Sequence, residues 1–91
     1  MTEDEFRSEL AARGYGEPRS YAFEPDADGE LHSHEFSAMA MVTEGEFRLG
    51  LTDETRVMGV GDWCEVAAGT LHSEMAGPVG ATLLVGTKQP A

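Results

Sequence analysis

The chain has 91 residues, 41% of them hydrophobic, and carries seventeen acidic against six basic side chains, a formal charge of −11. That size and composition suit one soluble folded domain, no apolar run is long enough to span a membrane, and so acidic a surface is repelled by phosphate backbones and anionic lipid heads. The opening MTEDEFRSEL is acidic where a secretory leader is basic and then apolar, and the lone Cys64 can form no internal disulfide, so a cytoplasmic setting is expected.

The first predicted element is a short helix over about 3–13. Thr2 and Glu5 have capping-box spacing, Phe6 and Leu10 lie one turn apart on an apolar stripe, and Gly14 supplies a stop. RSYAF (19–23) reads as a strand and EPDADGE (24–30) as a turn-rich stretch. The connection over 14–30 is expected to lie over the domain as a flap or an edge strand. Six further strand-like segments follow: LHSHEFSAMAMVT, EFRLGL, TRVMGV, WCEV, TLHSEM and GATLLVG. Glu44-Gly45, Thr52-Asp53-Glu54, Gly61-Asp62, Ala68-Gly69 and Gly77-Pro78 punctuate them as turns. Short strands at such intervals predict an all-β sandwich or barrel over about 19–87, within a single domain of residues 1–91.

All three histidines fall on this strand region. His32 and His34 are two apart, so in an extended chain they share one face about 6.5–7 Å apart, while Ser33 and Glu35 face away. His72 sits in a second strand-like segment. Three imidazoles from two strands can converge on one divalent ion, with ligand distances of about 2.0–2.1 Å.

These residues resemble the cupins, small antiparallel jelly-roll barrels. The first motif of that family has a glycine, His-x-His, a glutamate three or four residues on, and a glycine six residues later. Gly29, His32, His34 and Gly45 occupy this frame, with a shorter gap after Gly29. The second motif is matched in GDWCEVAAGTLHSEMA by Gly61, Gly69 and His72. The resemblance covers roughly 19–87 and implies a divalent metal (Fe, Mn, Ni, Zn, Co or Cu) on His32, His34 and His72. Three positions depart from the pattern: Ala38 replaces the glutamate, Ala67 the proline and Ala76 the asparagine. Strand parity places Ala38, not Met39, on the histidine face.

Without that glutamate the expected donors are three neutral nitrogens, which leave the ion its full charge and open positions for an anionic or oxygen-donor ligand. Glu74 shares a face with His72 and is a candidate general base or outer partner of the site. Glu35 reaches the ion only if a bulge turns it inward, and Glu65 has a weaker claim. Phe36, Ala38, Ala40, Val42 and Cys64 are expected to line a pocket. Trp63, Phe47, Tyr21 and Met41 are expected mostly as packing. Met39 and Met41 face away from the histidines, a surface of the kind that homodimerisation covers. No nucleophile–base pair is visible. The expected function is therefore a metal-binding cupin acting on a small molecule, with oxygenase chemistry on a thiol acid or diketone as one form. The alternative is a non-catalytic cupin that binds a small ligand as a sensor or store.

Overall fold

A computed structural model describes residues 1–90; Ala91, the end of the expected domain, lies outside the described residues. Helix α1 (Glu3–Ala12) forms because both of its ends and one face are specified locally. The Thr2 side chain accepts from the Glu5 backbone, and the Glu5 carboxylate accepts from the Thr2 backbone, so two of the helix's otherwise unpaired N–H groups are satisfied. Glu3, Asp4 and Glu5 add negative charge to the positive end of the helix dipole. Phe6 and Leu10, one turn apart, are the two residues it buries.

Five strands follow: β1 (Arg19–Phe23), β2 (Ser37–Gly50), β3 (Thr55–Met58), β4 (Trp63–Val66) and β5 (Ser73–Lys88). They form an antiparallel jelly-roll in which β1, β5, β2 and β3 are successive neighbours and β4 also pairs with β2. Strand β5 is the spine: Ser73–Ala76 pair with Phe47–Gly50 of β2, and Leu83–Lys88 pair with Ser37–Val42. Its other edge carries β1, in register Arg19↔Val85 to Phe23↔Ala81. Beyond β1 the chain continues along β5 through bridges at Asp28↔Met75 and His32↔His72.

Two expected turns are not turns. Glu44-Gly45 lies inside the continuous β2 and Gly77-Pro78 inside β5, and register shifts at Val42/Glu44 and Gly45/Phe47 mark bulges there. Gly45 has φ +75°, and a Cβ on it would lie 2.1 Å from the Gly80 carbonyl oxygen. Glycine is thus required by both the left-handed backbone and the close approach of the facing strand. A bulge and a hairpin turn ask for the same residue types, so local composition did not separate them. Strand β2 also begins only at Ser37, leaving His32, His34 and Phe36 on irregular chain before it.

The core divides in two. Inside the barrel, Val42, Phe47, Leu49, Met58, Ala76 and Leu83 pack together. Outside it, Phe6 and Leu10 of α1 pack with Tyr15, Met39, Met41 and Leu84, and Trp63 leans on the group. The expectation that Met39 and Met41 would need a second subunit to cover them is therefore corrected: α1 covers them, at 0% and 3% exposure. Gly86 makes this possible, because a Cβ there would lie 2.7 Å from the Leu10 side chain.

Polar contacts pin the helix end. Tyr15 donates its hydroxyl to Glu65 at 2.6 Å, and Arg13 donates to the other oxygen at 2.7 Å while its guanidinium lies 5.2 Å above the Trp63 ring. Burial, then the Glu65 contact, pushes the Tyr15 phenol up to about 12. The Tyr15 hydrogen bond and Arg13 hold the Glu65 carboxyl below its ordinary value. Glu65 is thus a strut of the outer surface and takes no part in the histidine site.

Candidate metal centre

The histidines meet because the segment after β1 pairs with the start of β5. His32 and His72 are directly opposed, each backbone N–H donating to the other's carbonyl at 2.9 Å. Residues two apart on an extended chain share a face, so His34 follows His32 and Glu74 follows His72 onto the same side. Ligating atoms of His32, His34, His72 and Glu74 all lie within 4.8 Å of one another. Glu74 Oε1 is 2.8 Å from Nε2 of His32 and 3.6 Å from Nε2 of both His34 and His72. Ligands about 2.0–2.1 Å from one ion, at tetrahedral or octahedral angles, stand about 2.8–3.4 Å apart, so these separations are close to a coordination shell.

The protons are arranged to match. Nδ1 of His32 lies 2.8 Å from the Glu30 carbonyl, and Nδ1 of His72 lies 2.9 Å from the Thr70 carbonyl. A carbonyl only accepts, so each Nδ1 carries the proton and each neutral ring turns an Nε2 lone pair toward the centre. The Glu74 carboxylate is an acceptor aimed at the same point. Lone pairs and a carboxylate this close repel unless a proton or a cation lies among them. In keeping with that, the Glu30 carbonyl and, less strongly, Glu74 hold the His32 pKa above its ordinary value. His34 is positioned by stacking on Phe36, with centroids 4.7 Å apart and planes 16° from parallel. The donor set, three imidazoles and one carboxylate, fits a divalent transition metal or zinc.

Glu74 had been expected as a base or an outer partner, and the site had been expected to lack negative charge. Instead its carboxylate stands among the imidazole nitrogens. The signal was in the sequence: His72-x-Glu74 repeats the spacing of His32-x-His34. Glu35 is exposed and outside the group.

Beside the cluster the barrel holds a cavity of about 230 Å³. Its wall includes His34, His72 and Glu74, together with Phe36, Ala38, Ala40 and Cys64. Val42 lies in the core rather than on this wall, fully buried among Phe47, Leu49 and Leu83. Burial pushes the Cys64 thiol up to about 11, which makes it a neutral, unreactive part of the wall at physiological pH. No lysine or arginine lines the cavity among the described residues.

The cupin domain family model matches residues 19–77. Among solved structures, an RmlC-like cupin from Shewanella frigidimarina is 26% identical with a TM-score of 0.68, covering 81% of this chain and 68% of that one. KdgF from Halomonas sp. is 25% identical with a TM-score of 0.65, covering 78% of this chain and 66% of its own. A Thermus thermophilus protein is 27% identical with a TM-score of 0.67, covering 78% of this chain and 70% of that one. This chain therefore spans about two thirds of the length of each. No curated protein matches it by sequence.

Proposed function

The chain belongs to the cupin family, and on that premise we propose that His32, His34, His72 and Glu74 hold one divalent metal ion and present it to a small molecule in the barrel cavity. The observation that carries this reading is the convergence of Nε2 atoms, two with their tautomer fixed from behind, on the Glu74 carboxylate. When bound, the ion supplies positive charge and Lewis acidity at the inner end of the cavity.

The chain's own residues have distinct parts. The Glu30 and Thr70 carbonyls orient the His32 and His72 rings. Phe36 fixes the plane of His34. Glu74 offsets one of the ion's two charges, so the remaining charge favours an anionic or oxygen-donor head on the ligand. Buried apolar side chains exclude water from the deeper wall.

A second reading, binding without turnover, draws support from one observation. Glu74, the only carboxylate on the cavity wall, is engaged with the histidines and is not a free general base, and Cys64 is neutral. Elemental analysis of untagged protein tests the metal assignment. The expected content is about one ion per chain in the wild type and a large loss in His34→Ala. Equal content in the two, or none in the wild type, would end it.

A further inference from the structure

We propose that the cavity selects a compact, largely apolar molecule of about ten non-hydrogen atoms with one oxygen-chelating head and no further charge, such as a catechol or an enolised 1,3-diketone. The inference rests on the metal reading of the cluster and names the ligand class for that site.

Size is the first argument. A cavity of about 150 Å³ lined by aliphatic and aromatic side chains takes up benzene. The cavity here, about 230 Å³, is half as large again. It suits a ring or a short branched chain bearing a head group, not a nucleotide or an oligosaccharide.

The second argument is the chemistry of the wall. Apart from the cluster, its polar side chains are only the Tyr21 and Thr87 hydroxyls and the Cys64 thiol. A monosaccharide would bring several hydroxyls to this surface, and each one left unpaired costs about 1–3 kcal/mol. Ala40, Phe47, Leu49 and Leu83, all buried, form an inner wall with no side-chain donor or acceptor. Such a surface rewards apolar contact instead.

Charge is the third. Arg56 acts on the Cys64 thiol only through space and is not on the wall, so nothing basic awaits a phosphate or a second carboxylate. Glu74 already places a negative charge there, and the chain carries a formal −11. A ligand therefore has one place for an electron-rich group, the cluster end, and the rest of it is apolar. Ala38 and Ala40 leave the volume beside the histidines, and the Phe36 ring, nearly parallel to His34, extends a flat surface along it.

The test uses full-length protein loaded with cobalt(II), whose visible absorption reports each change of ligand. Acetylacetone and catechol should form ternary complexes at least about tenfold tighter than citrate or glucose 6-phosphate. Ala38→Leu, which fills the space without touching a donor, should keep its cobalt and bind acetylacetone at least about tenfold more weakly. Citrate or glucose 6-phosphate binding as tightly as acetylacetone overturns the ligand class while the metal reading stands. So does acetylacetone stripping the cobalt with no ternary spectrum. Failure of the wild type to take up cobalt overturns the metal reading beneath it. Should Ala38→Leu not fold, methyl NMR of zinc-loaded wild type decides: acetylacetone-induced shifts at Val66, Leu83 and Val85 support the inference, and shifts elsewhere overturn it.

Discussion

Replacing Glu74 by glutamine separates a ligand from a bystander. The substitution keeps the side chain's size and one carbonyl oxygen and removes its charge. A unit negative charge about 2.1 Å from a dication is worth about 4 kcal/mol even at the permittivity of water, which is about three decades of affinity. The Glu74 side chain is 31% exposed, so the water-like limit is the relevant one. The carboxylate's own desolvation offsets part of that gain. Glu74→Gln should therefore weaken zinc binding about 100- to 1000-fold, measured by competition with a chromophoric chelator, with circular dichroism showing the fold retained. Ala38 faces the same cavity from β2, at the position where the family pattern has its glutamate. In the Glu74→Gln background, Ala38→Glu should recover at least about tenfold of the lost affinity. Unchanged affinity in Glu74→Gln would refute the assignment of that carboxylate to the metal.

Two further outcomes concern the helix and its strut. Leu10→Ala removes a 2% exposed side chain from the α1 seat and should cost about 2–5 kcal/mol, seen as a melting point lower by about 4–8 °C for each kcal/mol; a shift near zero would mean the helix is not docked. Tyr15 has a folded-state pKa raised to about 12 from an ordinary 10.0, so its contribution to stability is intact below pH 10 and is lost as pH rises toward 12. Urea titrations through that window should show a steeper decline for wild type than for Tyr15→Phe, and parallel declines would remove Tyr15 as the cause.

What the sequence disclosed followed from how local each signal was. The capping box and the Phe6/Leu10 pair lie within three turns of chain, and the helix formed where they indicated. The histidines were legible because a spacing of two fixes a common face whether or not the strand is regular. Glu44-Gly45 misled, since a bulge paired against Gly80 uses the same residues as a turn, and only the partner strand distinguishes them. The cover over Met39 and Met41 was not legible, because nothing in those residues says that a helix more than twenty-five residues earlier returns to them. Glu74 was underrated for a related reason. Its place depends on the backbone pairing of His32 with His72, which is a tertiary fact.

That pairing has a mechanical consequence. The proposed donors come as two short pairs, 32 and 34 against 72 and 74, and the whole of β2, β3 and β4 lies between them. An ion gripping both pairs is a cross-link that closes a loop of about forty residues, and the chain-entropy relation for such a closure gives about 4 kcal/mol. The chain's one cysteine is buried in the wall and can make no such tie. On this account the centre is a removable rivet as well as a binding site: chelation slackens the barrel at its open end while α1, docked on the outer face, stays fastened.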